Sequence, residues 1–414
     1  MSAVLLSDPQ KQVLLRKKKG VLMKSKWKNP VIKRVISFML VFAMCLTLVP
    51  DLAMAAAPQS ITTAAEFAAM TADGSYRLDQ DITLTTPYAN DFSGTFDGNG
   101  HTVTLDITGT GNYTGMFKSL TGGAVVKNLI TAGKVDGGSR RYTAAIAGSA
   151  DTDNGDITIE NCRNEASVSG SRGVAGVVSY MSSSSNTLTI RNCANTGTIT
   201  GSGVQTGGIA GNLEGTSVIE SCYNSGTIVG FNNYAGILGR GVGAAVKNSY
   251  TSGSIITYEG STNVGYAIIG SSKSGGNCTV ENSYALEGSG DALNYAKGVT
   301  ADAACAYKSQ SDMQSEAFAA LLGSAFQYNE GAYPTLTWEV PAVEVPSAKV
   351  PFSLNPESAV LKINGESYTG SGTLTFTEAG EYPYTIEQTG YVSQSGTVTV
   401  TEGDGEFTAD PAEN

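Results

Sequence analysis

One short phrase recurs six times between residues 126 and 282 of this 414-residue chain, at intervals of 27 to 34 residues. Each copy has Val or Ile, then a charged residue, then Asn or Ser. The charges alternate strictly in sign and fall on Lys127, Glu160, Arg191, Glu220, Lys247 and Glu281. Coils that stack place equivalent residues about 4.8 Å apart, so each cation would lie between two carboxylates. The pattern predicts a structural ladder that fixes register.

A second motif, Gly-apolar-x-Gly, alternates with the ladder phrase. It stands at Gly173–Gly176, Gly208–Gly211 and Gly236–Gly239. Gly is abundant, at 50 residues, and this favours turn-rich β structure over long helices. Coil length varies while the ladder phrase does not, as in a solenoid whose loops absorb insertions. The sequence therefore predicts an all-β stack of coils.

The I-x-N-C-x-N-x-G-x-I phrases, the Gly-apolar-x-Gly steps and the segment FSGTFDGNGHTV (92–103) resemble bacterial surface proteins with GLUG repeats. The resemblance covers roughly residues 60–340. It implies a right-handed parallel β-helix on an exported protein, as in adhesins and in front of immunoglobulin-cleaving metallopeptidases. Residues 350–402 resemble a small β-sandwich of the PEGA or immunoglobulin-like type, which is usually a spacer.

The chain divides into six predicted segments. They are a signal peptide (1–55), an N-terminal cap with the first coils (56–114), the GLUG-like repeat helix with its C-terminal cap (115–340), a linker (341–349), the β-sandwich (350–402) and an acidic tail (403–414). Within the C-terminal cap, a helix over 315–322 is expected to cover the last coil.

The signal peptide is indicated by a basic stretch at 24–34, an apolar run at 35–49 and a small-x-small site that ends at Ala55. The alternative is a transmembrane helix, but 15 apolar residues are fewer than the ~20 needed to span a bilayer. We expect a monomer exported by the Sec route from a Gram-positive bacterium, secreted or held at the cell surface, with no membrane span after cleavage.

Cleavage after Ala55 leaves 16 basic and 35 acidic residues, a formal net charge near −19. Such a surface repels phosphate backbones, so nucleic acid is not an expected partner. Cys162, Cys193 and Cys222 share one column of the repeat and are predicted to be small buried residues, although a disulfide between adjacent members stays open. The single histidine, His101, argues against a zinc site.

Two candidate sites stand out, each beside a simpler alternative. Asp151, Asp153 and Asp156 in the sequence DTDNGD offer the closely spaced oxygens that calcium prefers, or they form an ordinary solvated loop.

The second candidate site is a row of tyrosines. Tyr223, Tyr250 and Tyr284 recur in three successive repeats and are predicted to point outward as an exposed row. Exposed rings of this kind could bind sugars or a protein partner. In the alternative, the rings only cover one another.

These features favour a non-catalytic adhesin or binding stalk for extracellular glycans or for host and matrix proteins. One alternative is a polysaccharide lyase or glycosidase on the same helix, with calcium at the Asp151 loop. No catalytic residue is assigned, because cations should keep the ladder glutamates ionised and paired. A further alternative is that the chain is a stalk fragment of a longer surface protein.

Overall fold

The structure, a computed structural model, describes residues 2–6, 13–15, 57–182, 186–273, 276–294, 298–339, 348–376, 379–403 and 406–413. The apolar run and cleavage site of the predicted signal peptide lie outside these residues, as does most of the predicted linker. The chain forms two compact units, Ala53–Val340 and a second one from Met1–Leu52 with Pro341–Asn414. No helix in the described part of the chain is long and apolar enough to cross a membrane.

The larger unit is a parallel β-solenoid. Its first column of paired strands carries the charged phrase, and we call it the ladder column. The strands are Gln59–Ile61, Ser75–Leu78, Thr95–Asp97, Val125–Asp136, Ile157–Asn164, Leu188–Arg191, Ser217–Glu220, Ala244–Lys247, Cys278–Glu281 and Val299–Ala301. Equivalent residues of successive turns pair in register, from Lys127 with Glu160 to Lys247 with Glu281.

A second set of strands follows the ladder column in each turn. Short strands come first: Ala194–Asn195, Tyr223–Asn224, Tyr250–Thr251, Tyr284–Leu286 and Ala306–Lys308. Longer strands follow: Ile82–Leu84, Thr102–Thr108, Arg141–Ala144, Ser167–Gly170, Arg172–Ala175, Ile199–Gly207, Ile228–Ala235 and Ile255–Thr257. The strands on either side of Asp97–Gly100 pair with neighbouring turns in parallel, so this turn is a coil corner and does not close an antiparallel hairpin.

The last strand of each turn belongs to a column that we call the groove column, and in the middle turns this strand contains or follows the Gly-apolar-x-Gly step. They are Tyr88–Phe92, Phe117–Thr121, Ala147–Asp151, Val178–Met181, Ala210–Leu213, Leu238–Gly241, Tyr266–Ile269 and Ala292–Asn294. Small residues are needed here because a Cβ at Gly207 or Gly211 would lie within 3 Å of a backbone oxygen.

Strand alternation fills the solenoid with apolar side chains. The residue before each ladder charge is completely buried, and this column is Val126, Ile159, Ile190, Ile219, Val246 and Val280. The Asn or Ser after each charge adopts a left-handed backbone, as Asn161 does at φ 52°. Amides stack between turns: Asn161 Nδ2 donates to Asn128 Oδ1 at 3.0 Å, and Asn192 Nδ2 donates to Asn161 Oδ1 at 3.2 Å.

A short helix closes the N-terminal end of the solenoid. Ala64–Ala68 begins with a capping box, in which Thr63 Oγ1 accepts from the backbone N–H of Glu66 and the Glu66 carboxylate accepts in return. The helix buries Phe67 against the rings of Phe96 and Phe117, with centroids 5.7 and 5.6 Å away. The helix thereby covers apolar surface that the first coils would otherwise expose.

Residues 310–339 form a segment that we call the strap. It contains helices Gln310–Met313 and Glu316–Leu322, strands Phe326–Gln327 and Thr335–Leu336, and the 3-10 helix Thr337–Glu339. Its helix Glu316–Leu322 packs on residues of the last turns, such as Tyr284 and Ala306, and the rest of the strap lies across the short strands of earlier turns. Its first half meets Asn282, whose Nδ2 donates to Leu321 O at 2.8 Å, and its last residues reach Asn192 and Arg163.

The second unit contains two antiparallel sheets. One has the order Val13–Leu15, Ser2–Leu6, Ala348–Ser353 and Ser371–Phe376. The other has the order Glu366–Thr369, Val360–Ile363, Gly380–Glu387, Gln394–Gly403 and Glu406–Glu413. Phe352, Leu361, Ile386 and Val398 share one buried core. The segment predicted as an acidic tail contains Glu406–Glu413, an edge strand of this sheet.

Candidate functional site

The predicted row of exposed tyrosines is buried, so that prediction is wrong. Only 5%, 0% and 2% of Tyr223, Tyr250 and Tyr284 remain exposed, and their rings do point away from the solenoid interior. The reason is the strap: its Phe318 and Phe326 pack on these rings, with centroids 5.5 to 6.5 Å apart.

Hydrogen bonds also join the row to the strap. The Tyr250 hydroxyl donates to Pro334 O, and the Tyr223 hydroxyl donates to the Glu339 carboxylate at 2.9 Å. Burial, followed by the charge of Glu339, raises the pKa of Tyr223 far above its ordinary value. The row is therefore a packing surface, and a ligand has no access to it.

A different tyrosine cluster, Tyr113, Tyr142 and Tyr180, is open to solvent. Ring centroids of Tyr113 and Tyr142 lie 5.3 Å apart with planes 11° from parallel, and those of Tyr142 and Tyr180 lie 4.3 Å apart. All three side chains are partly exposed. Tyr142 contacts both other rings, so it holds the cluster together from the middle.

The backbone beneath this cluster is unusual. Tyr113 and Tyr142 have φ of 64° and 68°, a left-handed conformation that a bulky side chain rarely adopts. Equivalent positions in the next two turns are Gly173, at φ 61°, and Gln205, at φ 72°. A Cβ at Gly173 would lie 2.6 Å from Tyr142 Cδ1, so glycine leaves room for the ring. Glycine would adopt this backbone conformation with less strain. Backbone strain of this kind is concentrated at functional sites.

The cluster borders a groove of about 400 Å³ on the groove column. Its lining is Asp91, Tyr113, Lys118, Ser119, Thr121, Ser149, Ala150, Asp151, Tyr180 and Ser182. Strand pairing aligns Asp91 with Ser119 and Ser119 with Ser149 in successive turns. The solenoid therefore presents carboxylates, hydroxyls, an ammonium group and two aromatic rings along one open channel.

Several of these groups have no partner within the described residues. The side chains of Asp91 and Lys118 make no ion pair or hydrogen bond there, and the hydroxyls of Tyr113, Tyr142 and Tyr180 make no hydrogen bond. Burial raises the pKa of Tyr142 and of Tyr180, so both phenols are neutral at neutral pH. Partly exposed rings with free hydroxyls can stack on a ligand and donate to it.

The three candidate calcium ligands do not converge. Asp151 Oδ1 accepts from the Asp153 backbone N–H at 3.0 Å, and Asp156 Oδ1 accepts from the Thr187 backbone N–H at 2.8 Å. Across the described ranges, no group of three or more His, Cys, Asp and Glu side chains is placed to hold a metal ion. Asp151 instead lines the groove.

The register places Arg191 and Lys247 each between two glutamates, as predicted, but each cation of the charge ladder forms an ion pair with only one carboxylate. Arg191 Nε donates to Glu160 Oε2 at 2.7 Å, and Lys247 Nζ lies 3.2 Å from Glu281 Oε2. Lys127 turns away from Glu160 to Asp97, at 3.5 Å. Because these side chains are partly exposed, the ladder supports register more than it stabilises the fold.

The cysteine column is buried, as the sequence predicts. Cys162, Cys193 and Cys222 are free thiols with no exposed surface. Burial raises the pKa of Cys162 and Cys222 well above the ordinary value. All three side chains pack in the hydrophobic core of the solenoid.

The sequence contains a signal for the open cluster that the charged phrases do not include. The dipeptide Tyr-Thr stands at equivalent places in two successive turns, Tyr113-Thr114 and Tyr142-Thr143, and the two threonines pair. Tyr180 comes from the strand Val178–Met181, so only the fold brings it to the other two. Neither Asp91 nor Lys118 lies in a repeated phrase.

The fold and groove define the class: a parallel β-solenoid that presents an aromatic-lined polar groove. No protein-family model matches the sequence, and no curated protein matches it.

One similar solved structure is a crystal structure described as a “putative immunoglobulin A1 protease from Bacteroides ovatus”. The TM-score is 0.50 at 20% identity, over 68% of this chain and 92% of that one. At this identity the likeness shows the fold alone.

Proposed function

We propose that this protein is a non-catalytic, exported adhesin or binding stalk that holds extracellular glycans in the groove beside Tyr113 and Tyr180. One observation carries the proposal: a left-handed, partly exposed tyrosine pair borders a polar channel in which the side chains of Asp91 and Lys118 have no partner within the described residues. The apolar face of a sugar ring stacks well on an aromatic ring, and its hydroxyls bond to carboxylates and serines. A flat protein surface would not fill a polar channel of this kind.

The groove also contains two carboxylates, Asp91 and Asp151, which favours a glycosidase as the second candidate. Strand pairing places them two turns apart and two residues apart along the strand. Standard strand spacings put their backbones roughly 12 Å apart. Glycosidase carboxyl groups lie about 5 to 9.5 Å apart, so this pair suits binding better than catalysis.

The test is retention of the purified protein on a panel of immobilised glycans and matrix proteins, with bound protein and released sugar fragments both scored. Saturable retention on glycans without released fragments supports the proposal. Released fragments would support the glycosidase, and retention on matrix proteins alone would contradict the glycan site.

Two variants locate the binding. Tyr113→Ala removes a groove ring and should weaken retention at least about tenfold, since stacked aromatic anchors dominate such sites. The matched control is Tyr328→Ala, because Tyr328 is an exposed tyrosine on the strap, at 42% exposure. Equal retention of both variants would show that the glycan does not bind in the groove.

A further inference from the structure

We propose that the glycan in this groove carries free amino groups, as a chain of unacetylated amino sugars does. The inference rests on the proposed function and narrows its ligand. Asp91 and Asp151 supply two carboxylates to the groove, against the single ammonium group of Lys118. A separate sugar ammonium can replace water at each carboxylate and form charge-assisted hydrogen bonds, which are stronger than neutral ones.

The groups inside the groove are placed for such a ligand. Asp91 is exposed and forms no ion pair within the described residues, so its charge is free to meet a ligand cation. Asp151 uses Oδ1 for a backbone N–H and leaves its other oxygen available. The face of a tyrosine ring also attracts a cation, so Tyr113 and Tyr180 favour the same ligand as the carboxylates do.

The charge of the rest of the protein also favours a cationic ligand. The formal net charge of the chain is −11, and it is more negative without the basic first 55 residues. This field repels uronic acid or sulfated chains and attracts amines. The basic groups that act on Tyr142, Arg172 and Arg141, do not line the groove. Arg172 Nε donates to Gln205 Oε1.

The experiment compares two probes that differ only in the amine: the hexamer of β-1,4-linked glucosamine and its fully N-acetylated counterpart. Affinities are measured by titration calorimetry at about pH 6, where sugar amines are largely protonated. We expect the unacetylated hexamer to bind about tenfold more tightly at low salt, through two partly exposed ion pairs. The difference should shrink as salt rises.

A double variant, Asp91→Asn with Asp151→Asn, should lose this preference and keep the weaker binding of the acetylated hexamer. The matched control is Glu259→Gln with Glu287→Gln, which changes the net charge equally at two exposed positions outside the groove lining. The control should keep the preference. If the control loses it as well, bulk charge explains the binding and the inference is overturned.

The remaining outcomes separate this inference from the proposed function. Equal or tighter binding of the acetylated hexamer, lost in Tyr113→Ala, overturns the amine preference and leaves the glycan groove standing. A preference that survives in the double Asn variant also overturns the inference. Failure of both hexamers to bind, together with glycan retention that Tyr113→Ala does not change, overturns both proposals.

Discussion

Two tyrosine clusters on the same solenoid differ in their exposure to solvent. Tyr223 and Tyr250 stack with centroids 5.2 Å apart and planes 5° from parallel, much as Tyr113 and Tyr142 do. The first pair is covered by the strap, and the second pair borders an open groove. An aromatic column along a coil is therefore not a binding site by itself, because a distant segment of the chain decides whether solvent reaches it.

Backbone conformation separates the two clusters as clearly as burial does. Tyr223 and Tyr250 have φ below zero, whereas Tyr113 and Tyr142 have a left-handed backbone that costs free energy for a bulky residue. Packing against Phe318 and Phe326 stabilises the buried rings. The open rings have no such contact with the strap to offset their backbone strain, and for this reason we assign them a role in binding.

The largest expected loss of stability comes from a substitution in the buried cluster. Tyr250→Ala should lower the free energy of unfolding by about 3 to 5 kcal/mol, because it leaves a cavity under the strap and removes the hydrogen bond to Pro334. Thermal unfolding of the variant is the measurement. Tyr113→Ala is the matched control in the open cluster, and its effect should stay below about 1 kcal/mol. Equal losses would mean that the two clusters do not differ as we describe.

The second prediction detaches the end of the strap. The Glu339 side chain is only 3% exposed and contacts Arg163 Nη1 at 3.3 Å, the Tyr223 hydroxyl and the Leu336 backbone N–H. Burial opposes the charge on Arg163, yet Glu165 and Glu339 together raise its pKa. Glu339→Ala should cost about 2 to 3 kcal/mol, since a half-buried cation loses one of its two partners.

Limited proteolysis measures this change, with faster cleavage expected within residues 310–339. Glu330→Ala provides the control, because Glu330 is an exposed strap residue with no ion pair in the described part of the chain. Unchanged cleavage in Glu339→Ala would show that the aromatic packing alone holds the strap down.

The third prediction tests the ladder, which neither tyrosine cluster touches. Lys247→Glu would align three carboxylates, at positions 220, 247 and 281, on adjacent turns. We expect a loss of about 1 kcal/mol at low salt that diminishes at high salt, because the side chains are partly exposed. Thermal unfolding at two salt concentrations checks it. A stability that does not fall at low salt would contradict the pairing seen here.

Periodicity predicted most of the solenoid because it is a local property of the chain. The Ile-x-Asn phrases repeat at each turn, so the buried Ile159 and Ile190 and the left-handed Asn161 and Asn192 follow from spacing and alternation alone. The alternating charges also predicted that the charged residues of consecutive turns pair in register. None of this depended on contacts between distant parts of the sequence.

The site could not be predicted in the same way, because it depends on long-range contacts. Tyr250 lies 84 residues from Pro334, so alternation correctly turned its ring outward and could not show that the strap would cover it. Tyr180 joins Tyr142 only through the stacking of different strands. Asp91 and Asp151 belong to no shared motif, and the register of three turns brings them to one groove.

The smallest expected effect lies beside the open cluster, at Glu214. Burial disfavours its charge, but the amide of Asn212 and the guanidinium of Arg240 hold its pKa below the ordinary value. A carboxylate with a depressed folded-state pKa stabilises the fold above its unfolded pKa, and this contribution is lost as pH falls through the folded value. Glu214→Gln should therefore cost less than about 1 kcal/mol at neutral pH, after solvent screening, and still less in acid.

The measurement is the Tm difference between the natural protein and Glu214→Gln at about pH 7 and at about pH 3.5, below the ordinary glutamate pKa. A constant or growing difference would contradict the assigned ion pair. Glycan retention in the groove should not change, because Glu214 is not part of the groove lining. A loss of binding without a loss of stability would instead extend the functional surface from Tyr180 across the Asn212 and Arg240 turns.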